Sequence, residues 1–306
     1  MNNFAVAQLP LSGQPGVAPS SPVRHIDLHA HTTASDGTDF PADLVRKAAA
    51  LGISVLAITD HDTVSGIEEA RLAGEHYGVE VIGGCEIAVQ SDFGELHLLG
   101  LFASPENPML LQYLTLQRER RMTRNLEILD RLNRIGIPLD YEGVLQFTRG
   151  QVCGRPHIAC ALVAAGIVGS VTEAFARFVG EHGAAYSPRV LDSPEVGIQT
   201  LLACGTLPIF AHPCLSQRMD KKRLNLLLKE FKAYGLAGVE AFHSKHDADQ
   251  TGLVLRLARK YDLCVSGGSD YHGTNKPDVF LGYAYDGRKI ESSLLESIKE
   301  ARLNIP

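Results

Sequence analysis

The sequence has no long apolar run, no paired cysteine motif and no excess of positive charge, and each absence excludes a class of protein. No stretch approaches the roughly 18 apolar residues of a membrane-spanning helix. The six cysteines include no C-x-x-C pair, and several lie in apolar patterns typical of buried, reduced thiols. Residues 1–21 lack the basic and apolar regions of a secretory signal and are predicted to be a flexible tail. We therefore expect a cytoplasmic protein that makes no contact with a membrane.

The net charge of −6 argues against a protein that forms a stable complex with nucleic acid, because broad contact with phosphates requires a basic surface. The charge is uneven, however. Residues 101–190 contain ten arginines, no lysine and eight acidic residues, a net charge of +2, which leaves −8 for the rest of the chain. This middle third is where an anionic substrate would bind, although ordinary surface arginines explain the same count equally well.

The hydrophobic pattern predicts an α/β fold with an inserted helical segment. Apolar runs typical of buried strands alternate with helical patterns in both the first and the last third of the chain. Between them, apolar residues recur at intervals of three and four from Leu111 to Leu132, which predicts one long amphipathic helix. We therefore predict a barrel domain formed by residues 22–102 and 189–306, with a small helical lid domain inserted at 103–188.

Side chains that can bind metal ions fall within the apolar strands or just beyond their carboxyl ends, where barrels of alternating strands and helices place their chemistry. His29 and His31 are spaced so that both imidazoles lie on one edge of an extended strand, and a turn at 35–37 would put Asp36 beside them. Six of the twelve histidines occupy such positions, which chance placement explains poorly. The full candidate set is His29, His31, Asp36, Asp60, His61, Glu86, His97, His212, Asp270 and His272.

This donor set predicts two or three divalent ions. Nitrogen and oxygen ligands without thiolates suit Mn²⁺, Zn²⁺, Fe²⁺ or Mg²⁺, and the number of imidazoles disfavours Mg²⁺ alone. Ten candidate side chains exceed what one ion requires. We expect Mn²⁺, with the other three as alternatives.

Seven short motifs surround these residues in a fixed order. They are His29-Ala-His31, Ser35-Asp36-Gly37, Ile58-Thr-Asp-His-Asp62, Gly84-Cys-Glu86, Leu96-His-Leu-Leu-Gly100, Ala211-His-Pro213 and Gly268-Ser-Asp-Tyr-His272. In this order they resemble the motifs of the PHP (polymerase and histidinol phosphatase) family, from about residue 24 to the end of the chain. The resemblance implies a distorted (β/α)7 TIM-like barrel and metal-dependent hydrolysis of phosphoesters.

The resemblance also implies three sets of metal ligands. In order, the sets are His29, His31, Glu86 and Asp270; Glu86, His97 and His212; and Asp36, His61 and His272. Glu86 would bridge the first two ions, and Asp36 with His272 would hold the third near the oxygens of the reacting phosphate, so these three residues are assigned to catalysis. Asp60 is expected to orient a ligand histidine.

Two segments near the lid resemble the parts of the nucleotide-phosphatase branch that bind a second phosphate. Residues 153–157 would supply Arg155 and His157, and residues 185–189 would supply Arg189; a guanidinium offers a planar, bidentate fork to a phosphate. By the same resemblance His246 would point toward the substrate. Histidinol phosphatases carry a histidine in the motif at 35–37, and its absence here counts against histidinol phosphate.

Together these features predict a phosphatase of small phosphomonoesters, with nucleoside 3′,5′-bisphosphates as the preferred substrates and metal-activated hydroxide as the attacking group. One alternative is a 5′–3′ exoribonuclease on short RNA, in which the arginine-rich helix at 111–134 guides the strand. The others are a non-catalytic metal-binding PHP module and an amidohydrolase. The oligomeric state is left open.

Overall fold

The computed structural model describes residues 25–216 and 218–305, so the predicted tail at 1–21 lies outside the described residues. No helix in these two ranges is long and apolar enough to cross a membrane. The six cysteines, all of them within these ranges, are free thiols.

Seven strands form one sheet, in which each strand pairs with its neighbours in the sequence. The sheet curls into a nearly closed barrel, because the Leu28 amide donates to the Gly267 carbonyl (3.1 Å) and the Asp270 amide donates to the His29 carbonyl (2.9 Å). The predicted TIM-like barrel of seven strands is confirmed. The strands are β1 (His25–Asp27), β2 (Ile53–Ile58), β3 (Glu80–Ser91), β4 (Gly94–Leu101), β5 (Leu207–Phe210), β6 (Gly238–His243) and β7 (Cys264–Gly268).

β4 is antiparallel to its neighbours in the sheet. β3 and β4 form an antiparallel hairpin, and β4 is also antiparallel to β5, whereas the other neighbouring pairs are parallel. The alternation of strands and helices expected from the sequence is interrupted here, because the short turn leaves no room for a helix between β3 and β4. As a result Glu86 and His97 lie within strands rather than at the carboxyl ends of parallel strands.

The helices begin and end where local chemistry favours it. Pro41 occupies the first turn of its helix, and the next helix ends at Gly78, whose φ of +72° suits glycine. The described residues contain ten α-helices: α1 (Pro41–Ala50), α2 (Ile67–Tyr77), α3 (Pro108–Arg134), α4 (Tyr141–Leu145), α5 (Arg155–Ala164), α6 (Val171–Ala174), α7 (Pro194–Ala203), α8 (Lys221–Tyr234), α9 (Ala248–Lys260) and α10 (Leu294–Leu303).

Residues 103–188, which we call the insert, contain α3 to α6. The first turns of α3 pack in the core of the barrel through Leu110 and Leu114. Ile128 and Leu132, in its later turns, belong instead to a second core, which also contains residues of α5 and extends as far as Ala185. The long helix α3 therefore joins the two cores and holds the insert against the barrel.

Candidate metal centre

The side chains predicted to bind metal ions converge at the end of the barrel where the parallel strands have their carboxyl ends, and Glu86 and His97 reach this end from within β3 and β4. Nine of them contact one another there, and we call this group the candidate centre. β7 approaches closely because residue 268 is glycine: a Cβ at that position would lie 2.2 Å from the Cβ of His29. The members are His29, His31, Asp36, His61, Glu86, His97, His212, Asp270 and His272.

Glu86 lies in the middle of the candidate centre, and its side chain is 1% exposed. Its Oε1 atom lies 2.9 Å from His97 Nδ1 and 3.0 Å from His212 Nε2. Its Oε2 atom faces three other imidazoles, those of His29 (3.4 Å), His31 (3.2 Å) and His61 (3.0 Å). The two oxygens therefore serve different groups of imidazoles, as a carboxylate that bridges two ions must.

Several buried atoms of the candidate centre have no hydrogen-bond partner among the described residues. They include His29 Nε2, His31 Nε2 and Glu86 Oε2. The four distances from the two imidazole nitrogens to Glu86 Oε2 and to Asp270 Oδ1 run from 3.2 to 3.6 Å. Ligand atoms held about 2.0–2.2 Å from a tetrahedral ion lie about 3.3–3.6 Å apart. The residues therefore fit a divalent cation, although the identity of the metal does not follow from this geometry.

The groups that the geometry favours differ in three ways from the three predicted ligand sets. Glu86 is absent from the group of His29, His31 and Asp270. His29 takes the place of His97 beside Glu86 and His212, and His31 joins the group around Asp36. The three groups with ligand atoms within 4.8 Å of one another are His29, His31 and Asp270; His29, Glu86 and His212; and His31, Asp36, His61 and His272. The assignment of each side chain to one ion stays a prediction.

Neighbouring charges keep the carboxylates ionised. Burial alone would raise the pKa of Glu86, but the facing imidazoles of His61 and His97 hold that pKa well below its usual range. Burial lowers the pKa of His212 to about 4, so this imidazole is neutral at pH 7. Burial lowers the pKa values of His31 and His97 as well, but the facing carboxylates raise both to about 9. Because divalent ions bind ionised carboxylates and neutral imidazoles, an ion bound at the centre would displace these protons.

Glu240, on β6, supports two of the imidazole-bearing residues and was missed by the sequence analysis. The buried carboxylate accepts a hydrogen bond from His29 Nδ1 at 3.1 Å and another from the amide of His212 at 2.8 Å. With its Nδ1 atom donating, His29 is left with Nε2 as its free ligand nitrogen. The available signal was an acidic residue inside the apolar run at 238–243.

Asp60 lies beside the turn at 32–35. Its carboxylate accepts hydrogen bonds from the amide of Thr32 (2.8 Å), the hydroxyl of Thr32 (2.7 Å) and the hydroxyl of Ser35 (2.6 Å). Asp60 thereby positions the segment that carries Asp36. Its link to a ligand histidine runs through Ser35, whose Oγ atom lies 3.5 Å from His31 Nδ1, so the orienting role expected for Asp60 stays a prediction.

A cavity of about 220 Å³ separates the candidate centre from the insert. Arg121 and Arg155 line it from the insert, facing the side chains from the barrel. A second cavity of about 530 Å³ shares Glu95, His97 and Arg155 with the first and extends to Arg218. On the barrel side the first cavity is lined by Asp36, His61, Glu95, His97, His272, Asn275 and Lys276.

A family model described as "PHP domain" matches residues 27–181, about half of the chain. The chain belongs to the PHP family. It is therefore a metal-dependent phosphoesterase, and the predicted resemblance is confirmed.

Curated relatives match most of the PHP chain but carry different names. The 5′-3′ exoribonuclease of Haemophilus influenzae is 38% identical over 246 residues, covering 80% of this chain and 89% of the relative. A phosphoribosyl 1,2-cyclic phosphate 1,2-diphosphodiesterase of Eggerthella lenta is 33% identical, covering 81% and 94%. The 3′,5′-nucleoside bisphosphate phosphatase of Chromobacterium violaceum is 28% identical, covering 86% and 92%. These names agree on a hydrolase of phosphoesters but not on the substrate.

The fold also agrees with that of a solved PHP-like structure. A protein from Bifidobacterium adolescentis, described as a metal-dependent phosphoesterase, superimposes with a TM-score of 0.82 at 32% identity, covering 92% of this chain and 98% of the other. The likeness extends over both the barrel and the insert.

The predicted substrate residues lie in different surroundings in this PHP chain. Arg155 lines both cavities. His157 is buried, and its Nδ1 atom accepts a hydrogen bond from the amide of Gly154 at 3.0 Å, which closes the first turn of α5. Arg189 is 2% exposed, and its Nη1 atom lies 2.6 Å from Asp62 Oδ2. Of these three predicted contacts, the geometry supports Arg155.

The fourth predicted contact, His246, is fully buried outside the cavities. Its Nδ1 atom lies 3.1 Å from the carbonyl of Ala241, and its Nε2 atom lies 3.4 Å from the amide of Cys214. Both ring nitrogens are thus engaged by the backbone, and this placement does not support a contact with the substrate. His243 lies nearer the centre, with its Nε2 atom 3.6 Å from Asp270 Oδ2.

Arg121, on α3, is a cavity residue that the sequence analysis missed. Its Nε atom donates to Asp62 Oδ2 at 2.9 Å, beside the bond from Arg189 to the same oxygen. Its side chain remains 12% exposed. Two guanidinium groups share one carboxylate, so this buried group carries a net positive charge next to the cavity. The signal was the density of arginines on α3, without any indication of which one faces the barrel.

Proposed function

We propose that the protein removes a phosphate from small phosphomonoesters that carry a second phosphate, with nucleoside 3′,5′-bisphosphates as the substrate class. The observation that carries this proposal is one cavity with two unlike walls. Carboxylates and imidazoles that fit divalent cations form one wall, and the guanidinium groups of Arg121 and Arg155 form part of the other. A substrate with two phosphates can engage both walls at once.

Some residues of this chain bind the ions or the substrate, and others hold those residues in position. Divalent ions held by the candidate centre would supply Lewis acidity toward the phosphoryl group and activate water. Arg155 donates hydrogen bonds to the second phosphate, since a guanidinium matches phosphate oxygens in a bidentate fork. Asp62 holds Arg121 in place at the cavity wall. Glu240 fixes the orientation of His29.

The size of the cavities agrees with a small substrate. The larger one, of about 530 Å³, lies within the range of roughly 300–1,000 Å³ that is typical of sites for small ligands. It shares Glu95, His97 and Arg155 with the smaller one, so a nucleoside in the larger cavity has a phosphate within reach of the centre.

A 5′–3′ exoribonuclease is the second candidate, because the relative from Haemophilus influenzae bears that name. The larger cavity also leads past His212 to Arg218, an exposed residue that pairs with Glu181 at 2.6 Å, and a further nucleotide of a strand would lie there. The arginines of α3 do not support the predicted strand guide, however. Arg118 donates to the carbonyl of Asp62, and Arg120 pairs with Asp192. Protein groups already occupy these side chains.

Phosphate release in the presence of Mn²⁺ tests the proposal. The substrates are adenosine 3′,5′-bisphosphate, 5′-AMP, 3′-AMP and a 5′-phosphorylated RNA oligomer. We expect kcat/KM to be at least about tenfold higher for the bisphosphate than for either monophosphate, which corresponds to one additional charge-assisted contact. A higher kcat/KM for the oligomer, rising with its length, would favour the exoribonuclease instead.

A further inference from the structure

Lys276 follows β7 in a short turn that is tied to the candidate centre. The Asn275 side chain donates to the carbonyl of Asp36 at 2.7 Å, and the amide of Thr274 donates to the hydroxyl of Thr38 at 3.0 Å. The turn is therefore attached to the segment 36–38, which begins with Asp36. These contacts fix the backbone from which the lysine side chain extends.

The ammonium group of Lys276 binds one oxygen of Asp270 and leaves the other free. Its Nζ atom lies 2.6 Å from Oδ2 of Asp270. The other oxygen, Oδ1, faces His29 at 3.6 Å and His31 at 3.4 Å. Because the two oxygens face different partners, an ion held between Oδ1 and the imidazoles leaves the lysine contact intact.

The same ammonium group has donors to spare beside the cavity. An ammonium carries three N–H groups, and the bond to Asp270 uses one. The side chain is 39% exposed and lines the cavity together with Asp36 and His272, the residues assigned to the reacting phosphate. Among the described residues that line this cavity, Lys276 is the only lysine. A phosphate oxygen at the centre is therefore within reach of a cation other than Arg121 and Arg155.

We propose that Lys276 binds the phosphate that is hydrolysed, whereas Arg155 binds the second phosphate. This assignment rests on the proposed function, because it takes the candidate centre as the place of hydrolysis. It makes Lys276 a residue that every phosphomonoester substrate contacts. Arg155, by contrast, contacts only substrates with a second phosphate.

Binding of inorganic phosphate to the Mn²⁺-loaded protein, measured by calorimetry, tests the assignment directly. Lys276→Met removes the charge and keeps most of the side-chain length, Lys276→Arg restores a cation, and Lys222→Met is the matched control at an exposed position on α8. We expect Lys276→Met to raise the Kd of phosphate at least about tenfold, Lys276→Arg to recover part of the loss, and the control to match the wild type. Bound manganese, measured by mass spectrometry, should be the same in all four proteins.

Measurements of kcat/KM distinguish a failure of this proposal from a failure of the proposed function. Lys276→Met should lower kcat/KM by a similar factor for 5′-AMP and for adenosine 3′,5′-bisphosphate, because both present the same reacting phosphate. If the wild type hydrolyses neither compound, the proposed function fails, and the phosphate Kd still decides the role of Lys276. A phosphate Kd within twofold of the wild-type value in Lys276→Met, or no measurable phosphate binding by the wild type, would overturn the proposal. Loss of manganese from Lys276→Met with an unchanged phosphate Kd would show that Lys276 positions Asp270 and does not bind phosphate.

Discussion

The candidate centre and the arginines of the insert lie on opposite walls of one cavity, and they satisfy their charges in different ways. In the centre, buried atoms such as His31 Nε2 and Glu86 Oε2 converge without a hydrogen-bond partner among the described residues. Across the cavity, Arg121 binds Asp62. Behind this wall the same carboxylate also binds Arg189, and the carbonyl of Asp62 accepts a hydrogen bond from Arg118. The centre requires a cation to complete it, whereas Arg118, Arg121 and Arg189, which we call the arginine group, are already paired within the protein. Mutations in the centre should therefore cost metal and activity, mutations of the arginine group should cost stability, and mutation of Arg155 should cost selectivity.

The largest effect is expected at Glu86, whose two oxygens serve different groups of imidazoles. Glu86→Gln should lower kcat by at least about 10³-fold and remove at least one ion per chain, because an amide is a poor bridging ligand. Metal content by mass spectrometry and phosphate release measure the two effects. Glu75→Gln, at an exposed position on α2, is the matched control. Unchanged metal content would contradict the bridging role.

The second effect concerns the stability of the arginine group. Asp62→Asn leaves Arg189 and Arg121 without a negative partner in a buried environment, and it should lower the free energy of unfolding by about 3–5 kcal/mol. Urea denaturation at pH 7 measures the loss. Asp43→Asn, which removes an exposed pair with Arg46, should change stability little. An Asp62→Asn variant as stable as the wild type would show that the arginine group does not depend on this carboxylate.

The contribution of Asp62 should also depend on pH. Burial would raise its pKa, but Arg121 and Arg189 hold that pKa well below the ordinary value of 3.8. A carboxyl group with a depressed pKa in the folded state stabilises the fold above the pKa of the unfolded state and loses that effect as the pH falls. The stability difference between the wild type and Asp62→Asn should therefore be constant above about pH 5 and shrink below pH 4. A stability difference that stays constant down to pH 3 would indicate that Asp62 stabilises the fold through packing and not through its charge.

A smaller effect is expected at Glu240, which acts through His29 rather than on the ions themselves. Glu240→Gln should weaken metal affinity by about 10–100-fold and leave kcat near the wild-type value at saturating Mn²⁺. Activity measured against Mn²⁺ concentration separates the two quantities. If saturating metal failed to restore kcat, Glu240 would have a more direct part in the reaction.

The sequence made the candidate centre predictable for a physical reason. Polar residues such as Asp60 and His61 directly follow an apolar run, and the carboxyl ends of parallel strands meet at one edge of a barrel. Proximity in space could therefore be inferred from position along each strand. The helix over 108–134 was predictable in the same way, because its apolar spacing is local.

The remaining contacts depend on pairs that no local pattern reveals. Glu240 lies 211 residues from His29, and Asp62 lies 127 residues from Arg189. An acidic residue inside an apolar run, or one of several arginines on a helix, gives no indication of its partner. The reversed direction of β4 differs from these cases, because a two-residue connection between β3 and β4 permits only a hairpin.

The smallest of these effects is expected at Arg155. It tests most selectively whether the two walls of the cavity have different roles. Arg155 lines both cavities and is assigned to the second phosphate, so Arg155→Gln should lower kcat/KM for adenosine 3′,5′-bisphosphate by about tenfold and leave that for 5′-AMP within twofold. Parallel assays with the two substrates measure the ratio, and metal content should not change. Arg149→Gln, at an exposed position in the insert, is the control. An equal loss of kcat/KM for both substrates would mean that Arg155 binds the reacting phosphate. The two walls of the cavity would then not bind different phosphates of the substrate.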